Sequence, residues 1–255
     1  MLDIYHWEPN ANAGKSLLAA LEKGVAFNSH YIDMLAFDQH KPAYLAVNPA
    51  GTIPAMVHDG TLIFESTYMI DYIDMAFEGP SLRPEDSFDL WRMRWWCRYF
   101  DQYVGPAASQ IGWSSFVGPM VRQRDPEELK AAIARIPTKE RQIAWTKAIY
   151  GQFSEEELAE SRSRLMAGVM AINEALGDHD WIAGEHFSAA DLAGFMMLFG
   201  LPMMFPEAAN DQRSPNFMTW LRRVGRRPSI RQGLAMGTAR FLERANALLE
   251  EGDHA

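Results

Sequence analysis

Residues 47 to 77 constrain the fold more than any other stretch of the chain. Asp59-Gly60 separates two apolar runs, Ala55 to His58 and Thr61 to Phe64. A two-residue loop of this composition suits a tight hairpin, because both residues tolerate positive φ. Pro54 stands directly before the first run, and Ser66 follows the second. Ser66 can cap a helix whose apolar residues Met69, Ile70, Ile73 and Phe77 recur at helical spacing. Upstream, Leu2 to Trp7 reads as a strand. A helix follows from Ala13, with Leu17, Leu18 and Leu21 on one face and Gly24 closing it. Phe27 to Asp33 reads as a second strand, and Lys41 to Val47 as one or two helical turns. The predicted order is βαβαββα.

Glu78 to Ser87 is rich in Pro, Gly and charge and interrupts every periodic pattern, which marks a linker. Beyond it the spacing predicts helices over 91–103, 127–134, 154–176, 188–200, 216–224 and 240–249, with no convincing strand. Ser188-Ala189-Ala190-Asp191 resembles a capping box with Asp in place of Glu. The expected architecture is therefore α+β followed by α: a domain over residues 1–78 and an all-helical domain over 88–249. Residues 112–161 read as long and irregular, able to lid a pocket, form an interface or merely decorate the surface.

Composition excludes several classes. With 48% hydrophobic residues, the 255-residue chain can bury a substantial core. A net charge of −9 argues against nucleic acid, whose phosphates demand a basic face. The single cysteine rules out an internal disulfide framework and a cysteine metal cluster, and no metal is expected. No apolar stretch approaches the ~20 residues of a membrane helix, and the N-terminus lacks a signal-peptide pattern. A cytoplasmic protein is expected.

Two short motifs carry the chemistry. In Asn48-Pro49-Ala50-Gly51-Thr52-Ile53-Pro54, a cis peptide before Pro54 would turn the Ile53 N–H and C=O outward toward an extended peptide ligand. A plain surface turn explains the same residues about as well. Ser66 begins a helix, where free N–H groups and a partial positive charge favour a carboxylate, and Glu65 beside it can meet an ammonium. Ile53-Pro54 and Glu65-Ser66 together suit the ends of a γ-glutamyl peptide.

With these residues in place, residues 1–77 resemble the N-terminal domain of glutathione transferases, and Ser188 to Phe195 resembles the capped helix of their second domain. The resemblance implies a thioredoxin-like fold, glutathione as the thiol co-substrate and a dimer, either a homodimer or a heterodimer with a related chain. It implies that Gln39 and His40 take the glycine end of glutathione, and that Ile53, Pro54, Glu65 and Ser66 hold the rest. Dithiol chemistry is excluded, since Pro9 to Lys15 has no cysteine and Cys97 lies among Trp95, Trp96 and Phe100. The thiol-activating position falls at Asn12-Ala13-Gly14-Lys15. Relatives that carry Asn-Ser there have a hydroxyl which Ala13 lacks. The Asn12 amide, assisted by backbone N–H groups at the helix start including that of Ala13, is the expected catalytic donor. Asn12 as a simple N-cap is nearly as good a reading, and Ser16 is a second possible donor.

Trp91, Trp95 and Tyr99 form a stripe best read as helix packing. Tyr103, Ile111 and Trp113 are the candidate electrophile-pocket residues. The 112–161 stretch, Asn12 and the Asn48 to Pro54 segment are similar to bacterial β-aryl etherases. That resemblance implies a small aromatic ether as substrate and a thiolate displacing a phenol from the carbon beside a ketone. Conjugation or isomerisation of another aromatic catabolite, and a weakly or non-catalytic partner subunit, are the alternatives.

Overall fold

The structure is a computed structural model that describes residues 1–250, apart from the side chains of Leu248 and Glu250. Strands β1 (Leu2–His6), β2 (Asn28–Tyr31), β3 (Ala55–His58) and β4 (Thr61–Ile63) form one sheet in the order β2-β1-β3-β4. β1 runs parallel to β2 and antiparallel to β3, and β3 pairs antiparallel with β4. The hairpin closes as the Asp59-Gly60 pair requires, with φ of 47° and 82°. Helices α1 (Ala11–Lys23), α2 (Pro42–Leu45) and α3 (Ser66–Ala76) complete the predicted βαβαββα order. Alternation along β1 turns Leu2 and Ile4 into the core, where they meet Leu18, Met69 and Ile73. Gly24 ends α1 in the left-handed conformation at φ 71° and returns its N–H to Ala20 and Leu21.

The linker is pinned rather than loose. The buried carboxylate of Asp74 on α3 accepts from Lys23 Nζ at 3.1 Å, from the Leu82 N–H at 2.8 Å and from Arg83 Nε at 2.6 Å.

After it come α4 (Ser87–Tyr99), α5 (Gly105–Gly112) and α6 (Gly118–Val121), joined by π-helical turns at Phe100–Val104 and Trp113–Val117 into one rod. α7 (Pro126–Ala134), α8 (Lys139–Tyr150), α9 (Glu155–Ala175), α10 (Ala189–Leu198), α11 (Leu201–Met204), α12 (Pro215–Gly225), α13 (Pro228–Leu234) and α14 (Ala239–Glu250) follow. Ser188 and Asp191 form the predicted capping box, and Asp191 also accepts from Trp220 Nε1 at 2.8 Å.

Two expectations are corrected here. The helix expected over 91–103 runs from residue 87 to 121, and the stretch read as irregular contains α6 and α8 besides the expected helix at α7. Gly105-Pro106 and Gly118-Pro119 look like helix breakers in sequence. In the structure each pair follows a π turn, whose last bond runs from the Gly105 N–H to the Phe100 carbonyl, or from the Gly118 N–H to the Trp113 carbonyl. The hydrogen-bond ladder already changes register there, so the proline's missing donor falls where it does least harm.

A large core spans both parts of the chain, from Ile4 on β1 to Phe217 on α12. A second, smaller core lies among α6, α7 and α8, where Val121, Leu129, Trp145 and Ile149 pack around Phe37. Phe37 is the outlier of that set, since it comes from the loop between β2 and α2. It adopts φ 58° and is fully buried.

Candidate functional site

A cavity of about 730 Å³ opens where the β1–α1 turn faces the helices, a size usual for small-molecule sites. Asn12 and Ala13 line it at the start of α1, and Gly51 to Ile53 line it from the turn before β3. The helical side contributes Trp113 and Phe116 from the second π turn, Trp145 from α8 and Phe241 from α14, among other mostly apolar residues. The walls are apolar on that side and polar where the chain turns.

Strain marks the polar wall. Ala11 and Glu65 adopt φ of 44° and 66°, a region that costs a residue with a Cβ ~1–3 kcal/mol. These residues precede Asn12 and Ser66, and the two side chains meet: Ser66 Oγ donates to Asn12 Oδ1 at 3.2 Å. Ser66 is thus the first residue of α3 rather than its cap, a role that Glu65 occupies without a side-chain bond. Asn12 likewise lies inside α1, with Asn10 as its cap residue. With its oxygen committed to Ser66, Asn12 offers its NH₂ group as the donating end. Ile53 precedes a cis peptide bond to the buried Pro54, and Ile53 lines the cavity.

Lys15 holds this corner in place. Its ammonium is fully buried and bonds to Asp101 at 2.7 Å and to Thr67 at 3.2 Å, tying α1 to the first π turn and to α3. Gly14 allows close contact with α10, since a Cβ there would lie 2.3 Å from Met196 Sδ. Cys97 is buried and its thiol is pushed up to about 12 by desolvation, so it stays protonated. Ser16 is buried with its hydroxyl unpartnered and does not line the cavity.

Of the residues singled out from sequence, Asn12, Ala13, Gln39, Ile53 and Trp113 share the cavity wall. Glu65 and Ser66 adjoin it through Asn12. His40 does not reach it. Its ring is fully buried, edge-on to Trp145 at 5.4 Å, and desolvation together with Arg141 and Arg135 lowers its pKa to about 4. Tyr103 points elsewhere, stacked on Tyr99 at 5.1 Å with the Arg164 guanidinium above it. Ile111 is buried in the main core. Neither lines the cavity, whereas Trp113 farther along the same rod does.

Several lining residues were not singled out. Glu8 is nearly buried and accepts from Tyr31 at 3.0 Å and from the Thr238 N–H at 2.9 Å, which fastens the start of α14 over the cavity. Burial beside Glu8 raises the Tyr31 phenol, which keeps its proton as the donor in that bond. Arg141 and Trp145 reach in from α8. Their four-residue spacing on one helix face was the available signal, concealed by reading this stretch as irregular. Among the described residues no cluster of three or more His, Cys, Asp or Glu could hold a metal ion, and no helix is long and apolar enough to cross a membrane.

Comparison with known proteins agrees with this layout. The sequence model of the glutathione S-transferase N-terminal domain matches residues 11–76, and that of the C-terminal domain matches residues 155–223. Protein LigF of Sphingobium sp. strain SYK-6 is 32% identical over 91% of this chain and 92% of its own. The crystal structure of LigF, described as a beta-etherase, superposes with a TM-score of 0.88, covering 92% of this chain and 98% of that one. Glutathione S-transferase F9 of Arabidopsis thaliana is 27% identical over 72% of this chain and 73% of its own. At 21% identity, glutathione transferase F7 from Populus trichocarpa shares the fold with a TM-score of 0.71, covering 92% and 98% of the two chains. On the strength of both matched domains and the full-length likeness to LigF, this chain belongs to the glutathione S-transferase family.

Proposed function

We propose that this enzyme cleaves β-aryl ethers with glutathione, the thiolate displacing a phenol from the carbon next to a ketone. The cavity carries the reading: a polar wall built from Asn12, Ala13 and Ile53 faces an apolar wall containing Trp113 and Phe116, with room for two aromatic rings. The full-length likeness to the beta-etherase LigF supports the reaction type.

In this reading Glu65 and the start of α3, with Ser66, receive the γ-glutamyl end of glutathione, while Ile53 pairs with the cysteinyl backbone. Gln39 lies toward the glycine end. The Asn12 NH₂ and the Ala13 N–H donate to the sulfur. The sulfur lone pair forms a bond to the β-carbon as the C–O bond to the aryl oxygen breaks. The electrons leave on the phenolate, which takes a proton from water. Trp113 stacks against the rings.

Loss of the hydroxyl at Ala13 is tolerable on energetic grounds. Lowering a thiol pKa from ~8.5 to ~6.5 is worth ~2.7 kcal/mol in thiolate population, and reduced nucleophilicity cancels much of it. Orientation of the thiolate against the electrophile supplies ~7–11 kcal/mol. Positioning by Asn12 and Ile53 dominates.

We place the domain boundary in the linker, with residues 1–78 and 88–249 as the two units, and the protein in the cytoplasm. Phe64, Tyr68 and Met75 of the first unit and Phe88, Trp91 and Trp95 of the second are exposed. They suit a dimer interface with a second copy or a related chain.

The test is release of phenol from a racemic β-aryl ether ketone by purified protein and glutathione. Turnover is expected, with an Asn12→Ala variant reduced 10- to 100-fold in kcat/KM. Absence of phenol with glutathione binding intact would sink the etherase reading. The missing hydroxyl at Ala13 also favours a second reading, a non-catalytic subunit, which predicts turnover only after a related chain is added.

A further inference from the structure

Gln39 is 1% exposed, and neither atom of its amide has a partner. A buried unpaired amide costs ~1–3 kcal/mol, so a residue kept this way at a cavity wall points to something that pairs with it. Beside it in the same wall stands Arg141. Arg141 comes from α8, between the two matched domains. Its guanidinium donates to the carbonyls of Ala50 and, at 3.0 Å, of Gly51. Those carbonyls are its only hydrogen-bond partners among the described residues, and no carboxylate neutralises it.

His40, which the family resemblance assigns to the glycine end of glutathione, lies underneath. It is capped by Trp145, and its ring is so close to Gly51 that a Cβ on that glycine would lie 2.9 Å from it. The neutral imidazole has one N–H and no charge to offer a carboxylate, and unlike Gln39 it does not line the cavity. The same packing that buries His40 brings Arg141 to the turn two residues before Ile53. A peptide paired with Ile53 advances ~3.3–3.6 Å per residue, so the residue after its cysteine comes level with Thr52 and its terminal carboxylate reaches toward Gly51, Gln39 and Arg141.

We propose that Arg141 of α8, together with the Gln39 amide, binds the glycine carboxylate of glutathione and replaces His40 in that task. The inference rests on the reading that glutathione occupies this cavity. It makes the thiol site a product of both parts of the chain, since a segment outside the two matched domains completes it. Arg141 is a binding residue that touches the co-substrate and takes no part in bond making.

The experiment is calorimetric binding of glutathione and of γ-glutamylcysteine, which lacks the glycine, to the wild type and to Arg141→Gln, Arg141→Lys and Gln39→Leu. The wild type is expected to prefer glutathione at least tenfold. Arg141→Gln should lose at least tenfold for glutathione and less than twofold for the dipeptide. Arg141→Lys should recover part of that loss. Gln39→Leu leaves the Arg141 bonds untouched and should lose three- to tenfold for glutathione alone. The proposal is overturned if Arg141→Gln weakens both ligands equally, weakens neither, or raises only the KM for the aromatic electrophile. A wild type that binds neither ligand would bring down the glutathione reading itself. Phenol release plays no part in this assay, so the etherase reading and the Arg141 subsite fail separately.

Discussion

Two segments face each other across the cavity and could hardly differ more in origin. Residues 48–66 supply the turn before the cis proline, the hairpin and the start of α3, and their turns follow largely from local chemistry. Asp59-Gly60 closes the hairpin, Asn48 bonds through its amide to Thr52 at 2.9 and 3.0 Å, and Ser66 meets Asn12. Residues 113–150 owe their position to remote contacts instead. α6 approaches α8 so closely that a Cβ on Gly118 would lie 2.2 Å from the Ala148 carbonyl, and the small core there closes only around Phe37. A short-range motif can place a polar wall, whereas an apolar wall is placed by packing that no local pattern encodes.

Phe37 offers the harshest way to break this contrast, because it belongs to both sides. It is fully buried against Trp145 at 4.8 Å and completes the α6–α8 core from the opposite part of the chain. Phe37→Ala should cost ~3–5 kcal/mol by chemical denaturation, the range for emptying a buried aromatic site. A loss below ~1 kcal/mol would mean that α6–α8 stand independently of that loop.

His40 sharpens the comparison through pH. Its folded pKa of about 4 lies below the ordinary 6.5, so the unfolded chain takes up a proton first as the solution is acidified. The stability it contributes is present above pH 6.5 and drains away as pH falls toward 4. By linkage the loss reaches ~3 kcal/mol. His6, also lowered by burial, acts in the same direction. Denaturation midpoints measured from pH 7.5 to 4.5 should fall, and His40→Asn should flatten the curve. An unchanged curve would mean that the ring is not held neutral beneath α8.

The third prediction separates two aromatics on the same rod. Trp113 lines the cavity and Tyr103 faces away from it. Trp113→Ala should raise the KM for the aromatic electrophile about 10-fold, equivalent to ~1.4 kcal/mol, with glutathione affinity unchanged. Tyr103→Ala should alter neither by more than about twofold. Equal effects would restore both residues to the pocket.

These residues also show what was legible beforehand. The βαβαββα order, the cis peptide at Ile53-Pro54, the capping box at Ser188 and the burial of Cys97 all depend on a few neighbours in sequence, and each was readable. Asn12, Ala13, Gln39, Ile53 and Trp113 do share one wall. Tyr103 and Ile111 do not line the cavity, and the two π turns that help set which residues of the rod face it have no plain signature in the sequence. His40 lies outside the cavity wall, packed against Trp145 of α8, a contact more than a hundred positions away. Glu8 was invisible because its partner Thr238 stands 230 positions away.

The two π turns carry a consequence for how such a cavity changes over evolutionary time. Each holds one more residue than a regular turn would, and each ends at a Gly-Pro pair that tolerates the altered ladder. Deleting one residue from 113–117 would restore an α-helix without breaking the rod, would leave α6 in place because the π turn already absorbs the extra residue, and would change which way Trp113 and Phe116 of the turn itself face. Single-residue gains and losses at these points are thus a ready route to re-aiming the aromatic wall while the glutathione side stays as it is. Substitution alone, working against a packed core, offers no comparably large step.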